Sequence, residues 1–177
     1  MAVSNGNRRI DRILRPDFAD APSELSLDEL RERRDECLAE REYLSLLRRL
    51  VQGRAEILKA ELERRGGAVM EDAPLVERLS KILAGEGHGA ARGEAVRVGV
   101  PEDEILHARR RVERMVADAG LSDPGSLDDR RLREAVEVLA TEEHQVSESR
   151  AAVIGVLDRL QEELKRRYKQ DPSTVLD

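Results

Sequence analysis

Apolar residues recur at every seventh position through two stretches of the chain. The first row is Leu30, Cys37, Leu44, Val51 and Leu58, and the second is Leu132, Leu139, Val146, Val153 and Leu160. A sustained seven-residue apolar row marks a helix that lays a narrow seam against another helix. The start and stop signals agree. Ser26 and Glu29 form a capping box, in which the hydroxyl accepts from the backbone and the carboxylate reaches back. The first long helix is therefore expected over 27–65, ended by Gly66 and Gly67. Pro74 opens a short helix over 74–84, ended by Gly85 and Gly87. Residues 85–99, "GEGHGAARGEAVRVG", read as a flexible linker. Pro101 opens a second short helix over 102–119. After the turn "DPGSLDD", with a cap expected at Ser126, the second long helix is expected over 127–169. Residues 170–177 leave it as a tail. Residues 1–25 are polar and contain prolines, so they are expected to be mobile; they hold one short apolar motif, "RIDRILRPDF", able to dock on the domain or a partner.

Helices of about 40 residues are about 60 Å long. Such lengths need a partner helix along their course. The expected fold is therefore all-α: two long helices packed as an antiparallel coiled coil, with the two short helices between them in sequence. The helical domain spans 26–169.

The two long helices also resemble each other. At a constant offset of 102, Leu30, Arg31, Glu32, Glu40, Ser45, Arg48, Val51, Gly53, Leu58, Glu61, Leu62, Arg64 and Arg65 each meet an identical residue, 13 in 36 positions without a gap. Heptads explain matching leucines but not a matched serine, arginine and mid-helix glycine. The pattern is that of an internal duplication. Beside the apolar row runs a second one: Leu27, Arg34, Arg41, Arg48, Ala55 and Leu62, and in the second helix Val136, Glu143, Arg150, Leu157 and Leu164. Charge in the middle of a seam costs stability unless it is paired or kept wet.

Ser45, Arg48, Gln52 and Glu56 fall at steps of three and four, so they share one stripe of the helix surface. Glu143, Ser147, Arg150, Ile154 and Asp158 repeat that spacing. A guanidinium donates to guanine O6 and N7, and a carboxylate accepts from the guanine N1–H and exocyclic amine. Arginine also neutralises phosphate. Without a Cβ, Gly53 and Gly155 let something large approach. A solvated polar face, or closer helix–helix packing at the glycines, explains the same residues without a ligand.

Composition narrows the classes. Charged residues make up 38% of the 177 and aromatics 2%, a balance that favours long helices over sheets. The net charge of −6 argues against direct DNA binding, and the few aromatics offer little for stacking bases. A single cysteine excludes an internal disulfide. No apolar run approaches a membrane span, and the N-terminus lacks a signal-peptide pattern, so the protein is expected in the cytoplasm. His88, His107 and His144 do not cluster, Glu-x-x-His is absent, and no Ser-His-Asp or Cys-His set occurs, so neither metal nor catalysis is expected.

The stretches "LSLLRRLVQGRAEILKAEL" and "SESRAAVIGVLDRL" resemble the two cyclic-di-GMP-binding helices of the RsiG-type anti-sigma factors of actinobacteria, a family also labelled aerial-mycelium-formation proteins. The family motif is Glu, three residues, Ser, two, Arg, three, Gln, three, Asp. Ser45, Arg48 and Gln52 fit it in the first helix, with Arg41 in place of Glu and Glu56 in place of Asp. Glu143, Ser147, Arg150 and Asp158 fit it in the second, with Ile154 in place of Gln. The resemblance implies that these residues bind cyclic-di-GMP between the helices of one chain, as an intercalated dimer, with Arg41 free to meet a phosphate. It implies a partner too: a sigma factor of the sporulation or flagellar class, sequestered when the nucleotide is bound. Two other readings compete, a coiled-coil scaffold without a ligand and a coiled coil that probes RNA polymerase. The mixed charge of "ERRGG" and "SLDDRR" near the helix ends disfavours the latter.

Overall fold

The computed structural model describes residues 8–66, 72–84, 100–118 and 124–171. The linker expected at 85–99 lies outside them, as do the ends of both tails. The described residues form five α-helices and no strand. They are α1 (Arg9–Ile13), α2 (Leu27–Arg65), α3 (Asp72–Ala84), α4 (Glu102–Asp118) and α5 (Asp129–Gln170), with single 3-10 turns at Pro16–Phe18, Pro22–Glu24 and Pro124–Ser126.

Both apolar rows are core. Leu30, Cys37, Val51 and Leu58 are fully buried, as are Leu132, Val153 and Leu160, and Leu44, Leu139 and Val146 expose 3% or less. The Cys37 thiol is buried in the row, and burial, with Glu36 and Glu40 nearby, pushes it up to about 12.

The capping box at the start of α2 forms as its residues dictate. The Glu29 backbone N–H donates to Ser26 Oγ at 3.2 Å, and the Ser26 N–H donates to Glu29 Oε2 at 2.8 Å. At α5 the cap is Asp128 rather than Ser126: the Arg131 N–H donates to Asp128 Oδ1 at 2.8 Å, while Ser126 is taken up in the preceding 3-10 turn. A carboxylate beside the unsatisfied N–H groups of a helix start is the stronger acceptor, which moves the boundary two residues on.

The chain divides into two compact units, one of residues 1–42 and 148–177, the other of 43–147. In the first, the lead-in is folded from Arg8 onward. Ile13 is fully buried and Phe18 exposes 8%. Arg9 Nε pairs with Glu40 Oε2 at 2.6 Å, and Arg12 with Glu36 at 2.5 Å. Arg33 donates to the Phe18 carbonyl and lies over its ring, 5.5 Å from the centroid. On α5, Arg167 donates to the Pro22 and Ser23 carbonyls at 3.2 and 3.0 Å. In the second unit, Arg65 donates to the Pro124 and Gly125 carbonyls at 2.9 and 3.0 Å and pairs with Asp129 at 3.2 Å. Arg111 of α4 pairs with Glu142 of α5 at 2.5 Å. Arg78 of α3 reaches Glu63 and Glu56 of α2 at 3.2 and 3.5 Å.

These contacts extend the repeat beyond the long helices. At the same offset of 102, "RRIDRIL" at 8–14 meets "RRVERMV" at 110–116, and Pro22 meets Pro124. The pair Arg9–Glu40 thus has Arg111–Glu142 as its counterpart. Arg65 on the turn at Pro124 has Arg167 on the turn at Pro22. Glu61 accepts from Arg64 and Arg65, and Glu163 from Arg166 and Arg167, which pulls both carboxyls down to about 2. The duplicated element is a short arginine-rich helix, a proline turn and a long helix.

Glu40 is 4% exposed and carries its charge inside the fold. Removing the cation from a buried pair costs far more than removing one from an exposed pair. Arg9→Ala should destabilise the protein by about 3 kcal/mol, the low end for a broken buried pair. Arg12→Ala removes a mostly exposed cation and should cost less than about 1 kcal/mol. Urea unfolding of the two variants checks the order.

Candidate functional site

Four of the residues expected in the site meet at one carboxylate oxygen. Arg48 Nε donates to Glu143 Oε1 at 2.9 Å, Gln52 Nε2 donates to it at 3.0 Å, and Ser147 Oγ donates to it at 3.0 Å. Arg48 and Gln52 lie on α2 one turn apart; Glu143 and Ser147 lie on α5 one turn apart. The side chains of Arg48 and Glu143 are 24% and 28% exposed, so the pair is half-wet. Burial raises the Glu143 carboxyl, but the Arg48, Ser147 and Gln52 hydrogen bonds with the Arg48 charge outweigh it, and the net shift is downward. Glu143 is therefore charged at neutral pH, with one oxygen saturated by donors.

The other expected residues are distributed differently. Ser45 is half-buried on α2, its carbonyl accepting from Arg49 at 3.2 Å. Glu56 is held by Lys59 at 2.8 Å and by Arg78 of α3 at 3.5 Å, and so serves the seating of α3. Arg41 donates to its neighbour Glu42 at 2.9 Å. Arg150 is half-buried and Asp158 exposed, both in the unit that contains Arg41.

The two glycines have parted ways. Gly53 is buried, and a Cβ there would stand 3.8 Å from Leu79 Cδ2 of α3, ordinary contact. At Gly155 a Cβ would meet nothing within 4 Å. Close packing therefore explains neither glycine, and the open face at Gly155 is left for a ligand or for solvent.

Sequence reasoning missed the buried partner Glu40 and the half-buried Glu142, each next in sequence to a position of the motif. The signal was present: both lie at the offset of 102, as do Arg9 and Arg111. It also missed Leu79, for which no periodic signal existed. A groove of about 350 Å³ between the lead-in and α2, lined by Arg12, Arg15, Phe18, Arg33 and four acids, contains none of the expected site residues. Among the described residues no cluster of His, Cys, Asp or Glu is placed to hold a metal ion, and no helix is long and apolar enough to cross a membrane.

Fold and site together define an all-helical protein with a polar, cross-helix cluster set into an apolar seam. The model of the RsiG-like family matches residues 16–83, so this part of the chain is similar to an RsiG-type protein. The matched region takes in α2 and most of α3 and ends before α4 and α5. No curated protein matches the chain.

Because the folded Glu143 carboxyl lies below its unfolded value, the stability it contributes is complete above the unfolded carboxyl range. It is lost as pH falls through the folded value. Glu143→Gln should therefore be less stable than the parent at pH 7, and the gap should narrow as pH falls below the ordinary carboxylate range. Denaturant midpoints across that range test this.

Proposed function

We propose that the chain is an anti-sigma factor that binds cyclic-di-GMP at the Arg48–Glu143 cluster and, so loaded, sequesters a sigma factor of the sporulation or flagellar class in the cytoplasm. One observation carries the ligand reading. Arg48 and Glu143 set a cationic donor and an anionic acceptor side by side on two helices, half open to water. That is the complement of a guanine edge, which offers O6 and N7 as acceptors and N1–H and the exocyclic amine as donors. Gln52 and Ser147 add neutral groups that can re-aim. Ser45 and Glu56 are further candidate contacts at this cluster on this reading, and Arg41, Arg150 and Asp158 are the candidate ligand contacts within the other unit. Ile154, in place of the motif's Gln, offers no hydrogen bond. Arg41, in place of an acid, suits a phosphate of the nucleotide rather than a base.

We infer also that the long helices run antiparallel as a coiled coil. The support lies within residues 43–147: Arg48 of α2 meets Glu143 of α5, and seventeen residues further along α2, Arg65 meets Asp129. Position rises along one helix as it falls along the other. A symmetric ligand such as an intercalated cyclic-di-GMP dimer suits two like helices so arranged. The nucleotide would favour the sigma-binding state by binding it more tightly, a coupling of typically ~1–3 kcal/mol.

Magnitudes separate this from a scaffold without a ligand. A half-wet ion pair is worth roughly 0–1 kcal/mol to folding, whereas a hydrogen bond from a charged group to a ligand is worth about 1.5–3 kcal/mol. Arg48→Ala and Arg150→Ala should leave the helices folded yet weaken cyclic-di-GMP binding by that larger amount, with sigma-factor capture falling in parallel. Calorimetry with cyclic-di-GMP and circular dichroism melts measure both. No heat of binding in the parent chain would leave the scaffold reading.

Guanine recognition makes a separate demand. Adenine presents a donor where guanine presents O6, so cyclic-di-AMP should bind far more weakly than cyclic-di-GMP. Equal affinities in a competition titration would reduce the site to charge attraction.

A further inference from the structure

The two copies of the repeat differ at one ion pair. In the first, α1 is held to α2 by Arg9–Glu40 and, three residues on along α1 and four back along α2, by Arg12–Glu36. In the second, Arg111–Glu142 matches Arg9–Glu40. At the offset of 102 the counterparts of Arg12 and Glu36 are Arg114 and Val138, so the repeat has no carboxylate at the second position. Val138 is 51% exposed, an unusual value for a valine on a long packed helix. Arg114 is exposed and has no ion-pair partner among the described residues, and the same holds for Arg110 one turn earlier. Another turn back, Leu106 is 45% exposed. Leu106, Arg110 and Arg114 form one row of α4, at steps of four. All of these residues belong to the unit of 43–147.

An apolar centre with unpaired guanidinium groups beside it is the composition of a docking surface, since arginine and exposed aliphatic side chains anchor partners and unpaired charge steers them. We infer that the face formed by Leu106, Arg110, Arg114 and Val138 docks a negatively charged, partly apolar helix of the sigma factor. This rests on the anti-sigma reading and adds to it the surface used. Charge complementarity sets the occupant: among the described residues the two arginines form no ion pair, so a partner that brings carboxylates gains paired charge without breaking an ion pair between described residues. A nucleic acid fits less well. The first turn of α4 carries Glu102, Asp103 and Glu104, and a polyanion has no use for Leu106 and Val138.

The divergence between copies supplies the test. Val138→Glu gives Arg114 the carboxylate that Glu36 gives Arg12. It should leave the melting temperature equal or higher, because it closes the second latch. It should also cover the apolar centre and return a negative charge to it. Capture of a purified flagellar-class sigma factor in the presence of cyclic-di-GMP should then fall by about tenfold or more, with nucleotide affinity unchanged. Arg110→Glu combined with Arg114→Glu should give the same loss; these side chains are exposed, so this variant carries the test if Val138→Glu unfolds. Full capture by both variants overturns the docking surface and leaves the anti-sigma reading standing. No capture by the parent chain overturns both. Binding of random duplex DNA by the parent, lost in the double variant while sigma-factor capture is kept, overturns the protein-docking assignment in favour of a nucleic-acid face.

Discussion

Neither long helix can exist alone in water. Each carries an unbroken row of apolar side chains at a spacing of seven, flanked by charge, and helical stability at this length comes from burying such a row. Leu30, Val51, Leu58, Leu132, Val153 and Leu160 are all fully buried. That burial is the condition for everything polar that follows. It holds Arg48 and Gln52 of α2 within hydrogen-bond reach of Glu143 on α5. It also makes the cluster affordable: Arg48 and Glu143 sit beside the dry row, where each keeps about a quarter of its side chain in water.

The short elements are fastened by a different physics. α1 and α4 bury a few apolar side chains, Ile13 in α1 and Ala108 and Val112 in α4, and arginines fasten them further. Arg9 and Arg111 each reach a carboxylate on a long helix, Glu40 and Glu142. Arg65 and Arg167 each donate to two backbone carbonyls of a proline-led turn. The planar guanidinium fork can serve a carboxylate and carbonyls together, which an ammonium on a flexible stem does poorly. The same devices appear in both copies, so they belong to the duplicated element rather than to either copy's later use.

Where the copies differ, they differ at surfaces and at the polar stripe. Glu143 has Arg41 as its counterpart, Gln52 has Ile154, and Glu36 has Val138. The buried row shows no such exchange, because a charge there would face apolar neighbours on every side. Divergence of this kind converts a repeated frame into two unlike halves. On the proposed reading, one half holds a complete donor–acceptor set and the other carries extra positive charge toward a phosphate.

The sequence by itself determined the helices, their seams and the repeat. Heptad spacing, the capping box at Ser26 and the prolines and glycines at the ends are local signals, and local physics decides them. It also marked Arg48, Gln52, Glu143 and Ser147 as candidates, since one stripe of a helix can be read from spacing alone. Only tertiary structure decided which candidates meet. Glu56 has the right spacing for the cluster, yet Arg78 arrives from α3 and takes it for packing. Gly53 and Gly155 hold matched positions of the repeat, yet one lies against Leu79 and the other is open. The lead-in reads as polar chain, and it folds because Ile13 and Phe18 find a surface on which to be buried. Each of these outcomes depends on a neighbour far away in sequence, and periodicity carries no information about which distant side chain will come to stand at a given face.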